Sequence, residues 1–281
     1  MFKQKIILIT GATSGIGRDA ALHLAKRGHH VFATGRRVDR LNELDRIDGI
    51  EALPLDVTDQ ASVDNLRGEI LSRTEGQGID VLINNAGYGQ NGPLEMLTDE
   101  EIRAQFEANV FGLLRVTRAF LPEMRARRAG RIVNIGSVLG LVTIPFTGIY
   151  CATKHAVEAI NDSLRMELRP FGIQVVLIEP GGIQTEFDDR ALESLEPHES
   201  PDSPYAEALA GFRAMRVQIA PKKAKTDCIV RAIDKAVAKR RPRTRYRAPF
   251  KDSLLTAIQR RLPARWGDAI LLTAMRPKKK G

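Results

Sequence analysis

The apolar positions of the first 180 residues fall into short, nearly unbroken runs separated by stretches of helical period. Lys5-Ile-Ile-Leu-Ile-Thr10, His30-Val-Phe-Ala-Thr34, Ile50-Glu-Ala-Leu-Pro-Leu55, Gly78-Ile-Asp-Val-Leu-Ile83, Arg131-Ile-Val-Asn-Ile135 and Gly172-Ile-Gln-Val-Val-Leu-Ile-Glu179 each read as a strand. Residues 18–26, 60–74, 98–128 and 150–169 read as helices between them, the third long and interrupted. Strands that lack polar alternation are covered on both faces, so the pattern predicts an α/β fold with one doubly wound parallel sheet. Further on, residues 226–239 put Ile229, Ile233 and Val237 on one helical face. Arg243-Thr-Arg-Tyr-Arg247 alternates and suits a last edge strand.

The residues that close these strands carry the chemistry. The first strand runs into Gly11-Ala-Thr-Ser-Gly15-Ile-Gly17 and then a helix, which is how a dinucleotide pyrophosphate is held in a Rossmann-type sheet. The glycine spacing here is G-x-x-x-G-x-G rather than the usual G-x-G-x-x-G. The second strand ends in Gly35-Arg36-Arg37, with no carboxylate for a ribose 2′-hydroxyl and two guanidinium groups that suit a 2′-phosphate. NADP(H) is therefore favoured over NAD; the alternative is that one arginine merely caps the next helix. Asp56-Val57 follows the third strand, where the carboxylate can meet the adenine amine. Ligands of such sheets sit outside the carboxyl ends of the strands, where these residues all fall.

Tyr150 and Lys154 are four residues apart, so a helix starting near Gly148 stacks them on one face. A phenol near its ordinary pKa of ~10 is a poor acid or base at neutrality. An ammonium beside it is expected to draw that value down. Ser137, just after the fifth strand, can hold a substrate oxygen opposite the phenol.

Composition changes this picture little. The 281 residues carry 43 Lys/Arg against 34 Asp/Glu, a net charge of +9. Residues 222–281 hold 19 Lys/Arg and 4 Asp, and residues 1–221 hold 24 Lys/Arg and 30 Asp/Glu, so the basic character belongs to the tail. Cys151 and Cys228 make no disulfide framework and fit a reducing, cytoplasmic setting. The histidines show no metal-ligand spacing, and no metal is expected. The run Ile6-Ile-Leu-Ile9 is too short for a signal segment. The tail interleaves few aromatics with its charges, which argues against nucleic acid.

These residues resemble the short-chain dehydrogenase/reductase family. Thr10-Gly-Ala-Thr-Ser-Gly-Ile-Gly17 is similar to its TGxxxGxG loop, Asn84-Asn-Ala-Gly87 to its NNAG segment, and Pro180-Gly-Gly-Ile-Gln-Thr185 to its PGxxxT stretch. Ser137, Tyr150 and Lys154 match the catalytic Ser, Tyr and Lys, and Asn109 falls where the catalytic asparagine is expected. The resemblance implies hydride transfer between NADP(H) and a carbonyl or alcohol. Tyr150 would be the general acid/base, and Ser137 would polarise the oxygen. Lys154 would lower the phenol pKa and bind the nicotinamide ribose, and Asn109 would hold a relay water. The implied cofactor residues are Gly11, Thr13, Ser14, Gly15, Ile16, Gly17, Arg36, Arg37, Asp56, Val57, Asn84, Ala86, Gly87, Tyr150, Lys154, Pro180, Gly181, Ile183 and Thr185. Gly87-Tyr-Gly-Gln-Asn-Gly-Pro-Leu-Glu95 and Tyr150-Cys-Ala-Thr-Lys-His-Ala look like the branch with 17β-hydroxysteroid and retinol dehydrogenases, which implies a lipophilic substrate and a homodimer or homotetramer. A non-catalytic NADP-sensing protein on the same fold is the alternative, and it would need only the cofactor loop.

The chain is expected to divide into a catalytic domain over residues 1–250, with a substrate lid at about 186–221, and a basic amphipathic helical extension over 251–281. Ser137, Tyr150 and, in the lid, Phe187 are candidate substrate contacts; docking of the lid segment on the sheet explains Phe187 equally well. In the extension Leu254, Leu255, Ile258 and Leu262 fall on one side of a helix, and Trp266, Ile270, Leu271, Leu272 and Met275 follow beside basic residues. Such a segment either lies peripherally on an anionic membrane surface or packs on the body or a second subunit. Its apolar surface favours packing.

Overall fold

The structure, a computed structural model, describes residues 4–275; the final basic run of the expected extension, residues 276–281, lies outside the described residues. The apolar runs become strands β1 (Ile6–Ile9), β2 (His30–Gly35), β3 (Ile50–Pro54), β4 (Val81–Asn84), β5 (Gly130–Ile135) and β6 (Ile173–Pro180), and the alternating run becomes β7 (Arg245–Ala248). They form one parallel sheet in the order β3-β2-β1-β4-β5-β6-β7. The order reverses between β1 and β4, and in open sheets of this kind ligands bind outside the carboxyl ends of the strands at that point.

Because β side chains alternate, neighbours in one strand feed opposite cores. Ile7, Ile9, Val31 and Ile83 meet α1 (Gly15–Lys26) and α9 (Asp227–Ala238) through Leu24, Ile229 and Ile233. Leu8, Phe32 and Leu82 meet α3 (Gln60–Arg73) and α5 (Gly112–Ala126) through Ile70, Val116 and Phe120. All of these are almost fully buried, each stabilising by roughly 1.5–3 kcal/mol relative to an exposed side chain. A short helix, α2 (Val38–Leu44), follows β2 and buries Leu41 and Leu44.

The long interrupted helix has a definite interruption. α4 (Asp99–Phe106) starts at a reciprocal cap between Thr98 and Glu101, passes into a π-helical turn at Glu107–Phe111, and continues as α5. Such π-turns accumulate at functional sites, and this one contains Asn109. Beyond β5 comes α6 (Gly148–Glu167). After β6 the chain forms α7 (Glu186–Glu193) and α8 (Ala206–Ile219), which lie over the carboxyl ends of the strands. Leu195, Leu209 and Phe212 hold this cover together, with Phe146 packed against them. The chain ends in α10 (Phe250–Gln259) and α11 (Ala264–Ala274).

Candidate active site

The floor of the site is set by glycine. Gly11 and Gly15 have φ of 67° and 53°, values that favour glycine. Thr10 accepts the Asn85 and Ala86 amides on its hydroxyl, both at 3.0 Å, and Asn85 Nδ2 donates to the carbonyls of Thr10 (3.0 Å) and Gly11 (2.9 Å). A Cβ on Gly17 would lie 2.4 Å from both Asn85 Nδ2 and the Gly11 carbonyl. The loop and the β4 end are therefore locked at backbone distance. Ser14 at the start of α1 makes no side-chain cap, and the first turn holds no acidic residue. Those amides and their positive dipole fit the pyrophosphate of a dinucleotide.

At the end of β2 a Cβ on Gly35 would come 2.6 Å from Thr13 Cγ2, so the position has no room for a carboxylate. The two arginines beside it divide. Arg37 spans the floor and the cover: it donates to Thr13 Oγ1 (3.3 Å), the Thr13 carbonyl (3.0 Å) and Glu186 (3.1 Å). It stands at the N-cap of α2 but makes no side-chain cap, so the capping alternative is not what it does. Arg36 is 69% exposed and faces Asp56 at 3.7 Å. Burial pushes the Asp56 carboxyl up, but two hydrogen bonds from Thr58 and the Arg36 charge hold it below its ordinary value. The neighbouring Val57 carbonyl accepts from Arg115.

At the reacting end, Ser137 follows β5 and its Oγ accepts the Leu139 amide at 3.0 Å. Tyr150 and Lys154 share one face of α6, and the Lys154 ammonium lies 5.7 Å from the centre of the Tyr150 ring. It donates to the Ile135 carbonyl at 2.9 Å. Burial draws the lysine down to about 8. Burial also raises the Tyr150 phenol, against the pull of the Ser137 hydroxyl. The lowering expected from Lys154 is thus not what governs the phenol: desolvation of a buried phenolate does, opposed by the Ser137 hydroxyl and the Arg216 charge.

Other sequence candidates are arranged differently from expectation. The Asn109 side chain holds the Tyr88 segment, donating to the Tyr88 carbonyl (3.0 Å) and Thr153 Oγ1 (3.2 Å) and accepting the Tyr88 amide (3.1 Å). The Asn84 side chain points inward to Thr117 and Asn134, and the loop is pinned by Asn85, its neighbour in the same motif. Ile183 and Thr185 lie in the segment between β6 and α7, where the Thr185 hydroxyl caps α7 and its side chain faces Gly15. Phe187 roofs the phenol, with ring centres 5.5 Å apart.

One cluster escaped the motif reading. Glu158 and Asp162 continue the four-residue spacing of Tyr150 and Lys154 along α6. Arg245 of β7 reaches Glu158, Asp162 (2.7 Å) and the fully buried Glu179 (3.3 Å), and Arg247 also holds Glu179 (2.8 Å). Burial raises Glu158 to about 7, against its bond from Arg245, and the Glu179 charge adds to the rise. The four-residue repeat of ionisable residues along α6 was the available signal.

The chain matches the short chain dehydrogenase family over residues 5–196. It belongs to that family. It is 42% identical over 187 residues to the 3-ketodihydrosphingosine reductase of Bacteroides thetaiotaomicron, covering 66% of this chain and 67% of that protein. Human 17-beta-hydroxysteroid dehydrogenase type 1 is 41% identical over 204 residues, 69% of this chain and 61% of that one. An NADPH-dependent 3-dehydrocapnine reductase of Ornithobacterium rhinotracheale is 32% identical across 95% of this chain and 96% of its own length. Among solved structures, a variant of actinorhodin polyketide ketoreductase with NADPH superposes with a TM-score of 0.73, at 27% identity over 87% of this chain and 95% of that one. The resemblance read from the motifs, including its hydroxysteroid-dehydrogenase-like branch, agrees with these relatives. The protein is thus a short-chain dehydrogenase/reductase, an oxidoreductase on a Rossmann-type sheet.

Proposed function

We propose that this short-chain dehydrogenase/reductase is an NADPH-dependent reductase of a lipophilic ketone, catalysing the reverse oxidation as well, with a long-chain lipid ketone as the preferred class. The observation that carries it is the buried Tyr150 phenol, with Ser137 at its hydroxyl, Lys154 one helical turn on, and the Phe187 ring as a roof. Relatives named for 3-ketodihydrosphingosine and 3-dehydrocapnine support a keto lipid. Two of the similar proteins are named with NADPH.

The cofactor, when bound, supplies the hydride to the carbonyl carbon. Tyr150 gives its proton to the carbonyl oxygen as charge builds there, and a phenol kept protonated by burial suits that direction. Ser137 donates a hydrogen bond to the same oxygen, and such donors strengthen as the charge develops. Lys154 presents a cation beside the phenol and returns a proton to it. Phe187 and the cover around it exclude water. Arg36 is the guanidinium left to meet a 2′-phosphate, since Arg37 is spent on Thr13 and Glu186. The working unit is a homodimer or homotetramer.

The test is a panel of ketones and aldehydes followed by NADPH absorbance, with a long-chain keto amine, a steroid ketone and a short ketone as its arms. Tyr150→Phe should lower turnover by at least about a thousandfold while NADPH still binds. More than a few per cent of residual rate would place the acid elsewhere. Arg36→Ala should weaken NADPH by about tenfold or more and leave NADH unchanged. A wild-type enzyme that prefers NADH would sink the cofactor reading.

A further inference from the structure

The C-terminal helices were expected to pack their apolar residues on the body or on a second subunit. The body covers Met275 and leaves most of the others open. Phe250, Leu254, Leu255 and Ile258 on α10 are 49–81% exposed, and Trp266, Ile270 and Leu272 on α11 are 54–66% exposed. None of the residues of α11 is buried. The two helices are nonetheless held in place at the rim of the candidate site. Asp252 accepts the Gly182 amide at 2.7 Å, Thr256 is buried, and Met275 enters the cluster of Leu195, Leu209 and Phe212 beneath the cover.

We propose that this face is a docking surface for an anionic phospholipid bilayer, with Trp266, Ile270 and the α10 apolar row entering the headgroup layer. Charge complementarity selects that occupant. Lys251, Arg260, Arg261 and Arg265 are exposed beside the apolar row, and none of them takes part in an ion pair among the described residues. The sequence continues with Arg276, Lys278, Lys279 and Lys280. The only carboxylates on the two helices are Asp252, already bonded to Gly182, and Asp268. An amphipathic, cationic, tryptophan-bearing surface is what a lipid interface attracts. A two-fold contact between copies would instead set these cations against themselves. Among the described residues no helix is long and apolar enough to cross a membrane, so the contact is peripheral. This surface does not depend on the proposed substrate, although it would bring a lipid ketone to the rim of the site.

The chain's single tryptophan, Trp266, reports the contact directly. Full-length protein is mixed with vesicles of phosphatidylcholine and phosphatidylglycerol, or of phosphatidylcholine alone, and followed by co-sedimentation and tryptophan emission. The expected result is binding and a blue shift with the anionic vesicles only, weakened at high salt. Arg260→Glu, Arg261→Glu and Arg265→Glu together should reduce partitioning by about a hundredfold or more. Ile270→Ser should keep part of the binding and lose most of the blue shift. Melting curves of both variants check folding without reference to turnover. Absence of co-sedimentation with either vesicle overturns the proposal. So does emission already blue-shifted without lipid in a dimer that survives the triple substitution, since a second copy would then cover the face.

Discussion

The floor and the roof of the candidate site are built by different means. The floor is set by glycine backbone: Gly11 lies so close to the Ala86 backbone, and Gly17 to the Gly11 carbonyl and the Asn85 side chain, that added carbons would overlap them. The roof is held by side chains: Phe187 on Tyr150, the Asn91 side chain on the Ala191 carbonyl, the Ser194 hydroxyl on the Asn91 amide, Glu186 paired with Arg37, and Asp188 between Arg216 and Lys223. A floor made this way tolerates one residue type at a few positions. A roof made this way can be assembled from many sequences. The difference predicts that single changes below should be severe and single changes above mild for stability but visible in substrate binding.

The largest effect is expected at Gly17→Ala. The new methyl meets the Gly11 carbonyl, which cannot move without taking the loop with it, and overpacking of this kind costs about 3 kcal/mol. The melting temperature should fall sharply and NADPH binding should disappear. A variant that melts like wild type and binds NADPH would show that the loop is compliant and the contrast false.

Lys154 lies where floor and roof meet, and its effect runs in the opposite direction. Burial lowers it from 10.5 to about 8, so at neutral pH the fold carries a desolvated ammonium. The cost is present below pH 8, where the lysine is charged both folded and unfolded. It is relieved as pH rises from about 8 toward 10.5, where the folded form has already lost its proton. Lys154→Met should therefore stabilise the protein at pH 7 by roughly 2 kcal/mol, after allowing for the lost bond to the Ile135 carbonyl. That gain should fade toward pH 10.5, while turnover is lost throughout. Denaturant unfolding of both proteins across that range checks it, and a destabilised variant at pH 7 would reverse the sign of the argument.

The same contrast explains what could be read in advance. Glycine spacing records where a Cβ is forbidden, and the Tyr150–Lys154 spacing records a helical face, so the floor and the reacting face were legible as motifs. The five inner strands were legible because burial on both faces removes polar alternation. The division of labour between Arg36 and Arg37 was not, because it depends on Glu186 arriving from 149 positions away. Nor was the inward turn of Asn84, which shares a motif with Asn85 and differs only in strand phase. What covers the exposed face of α11 was not legible for a further reason. Helical periodicity marks an apolar stripe without saying whether protein or lipid covers it.

The smallest effect on stability, and the sharpest test of the roof, is Phe187→Ala. Phe187 is half-buried and sits on a short helix, so its removal should cost only about 1 kcal/mol, well below a core phenylalanine. Its ring lies over the Tyr150 phenol and within van der Waals range of Gly89, so what it shapes is the space above the proton donor. The expected outcome is a KM for lipophilic ketones raised by about tenfold, a smaller change for short ketones, and NADPH affinity unchanged, since no cofactor-loop contact is touched. Phe187→Leu should recover most of the loss, because apolar area rather than aromaticity is needed there. Steady-state kinetics on ketones of increasing chain length would separate the cases. A uniform fall in kcat for all of them, with KM constant, would mean that Phe187 positions Tyr150 instead of contacting substrate, and the roof would then belong to the reacting centre as firmly as the floor does.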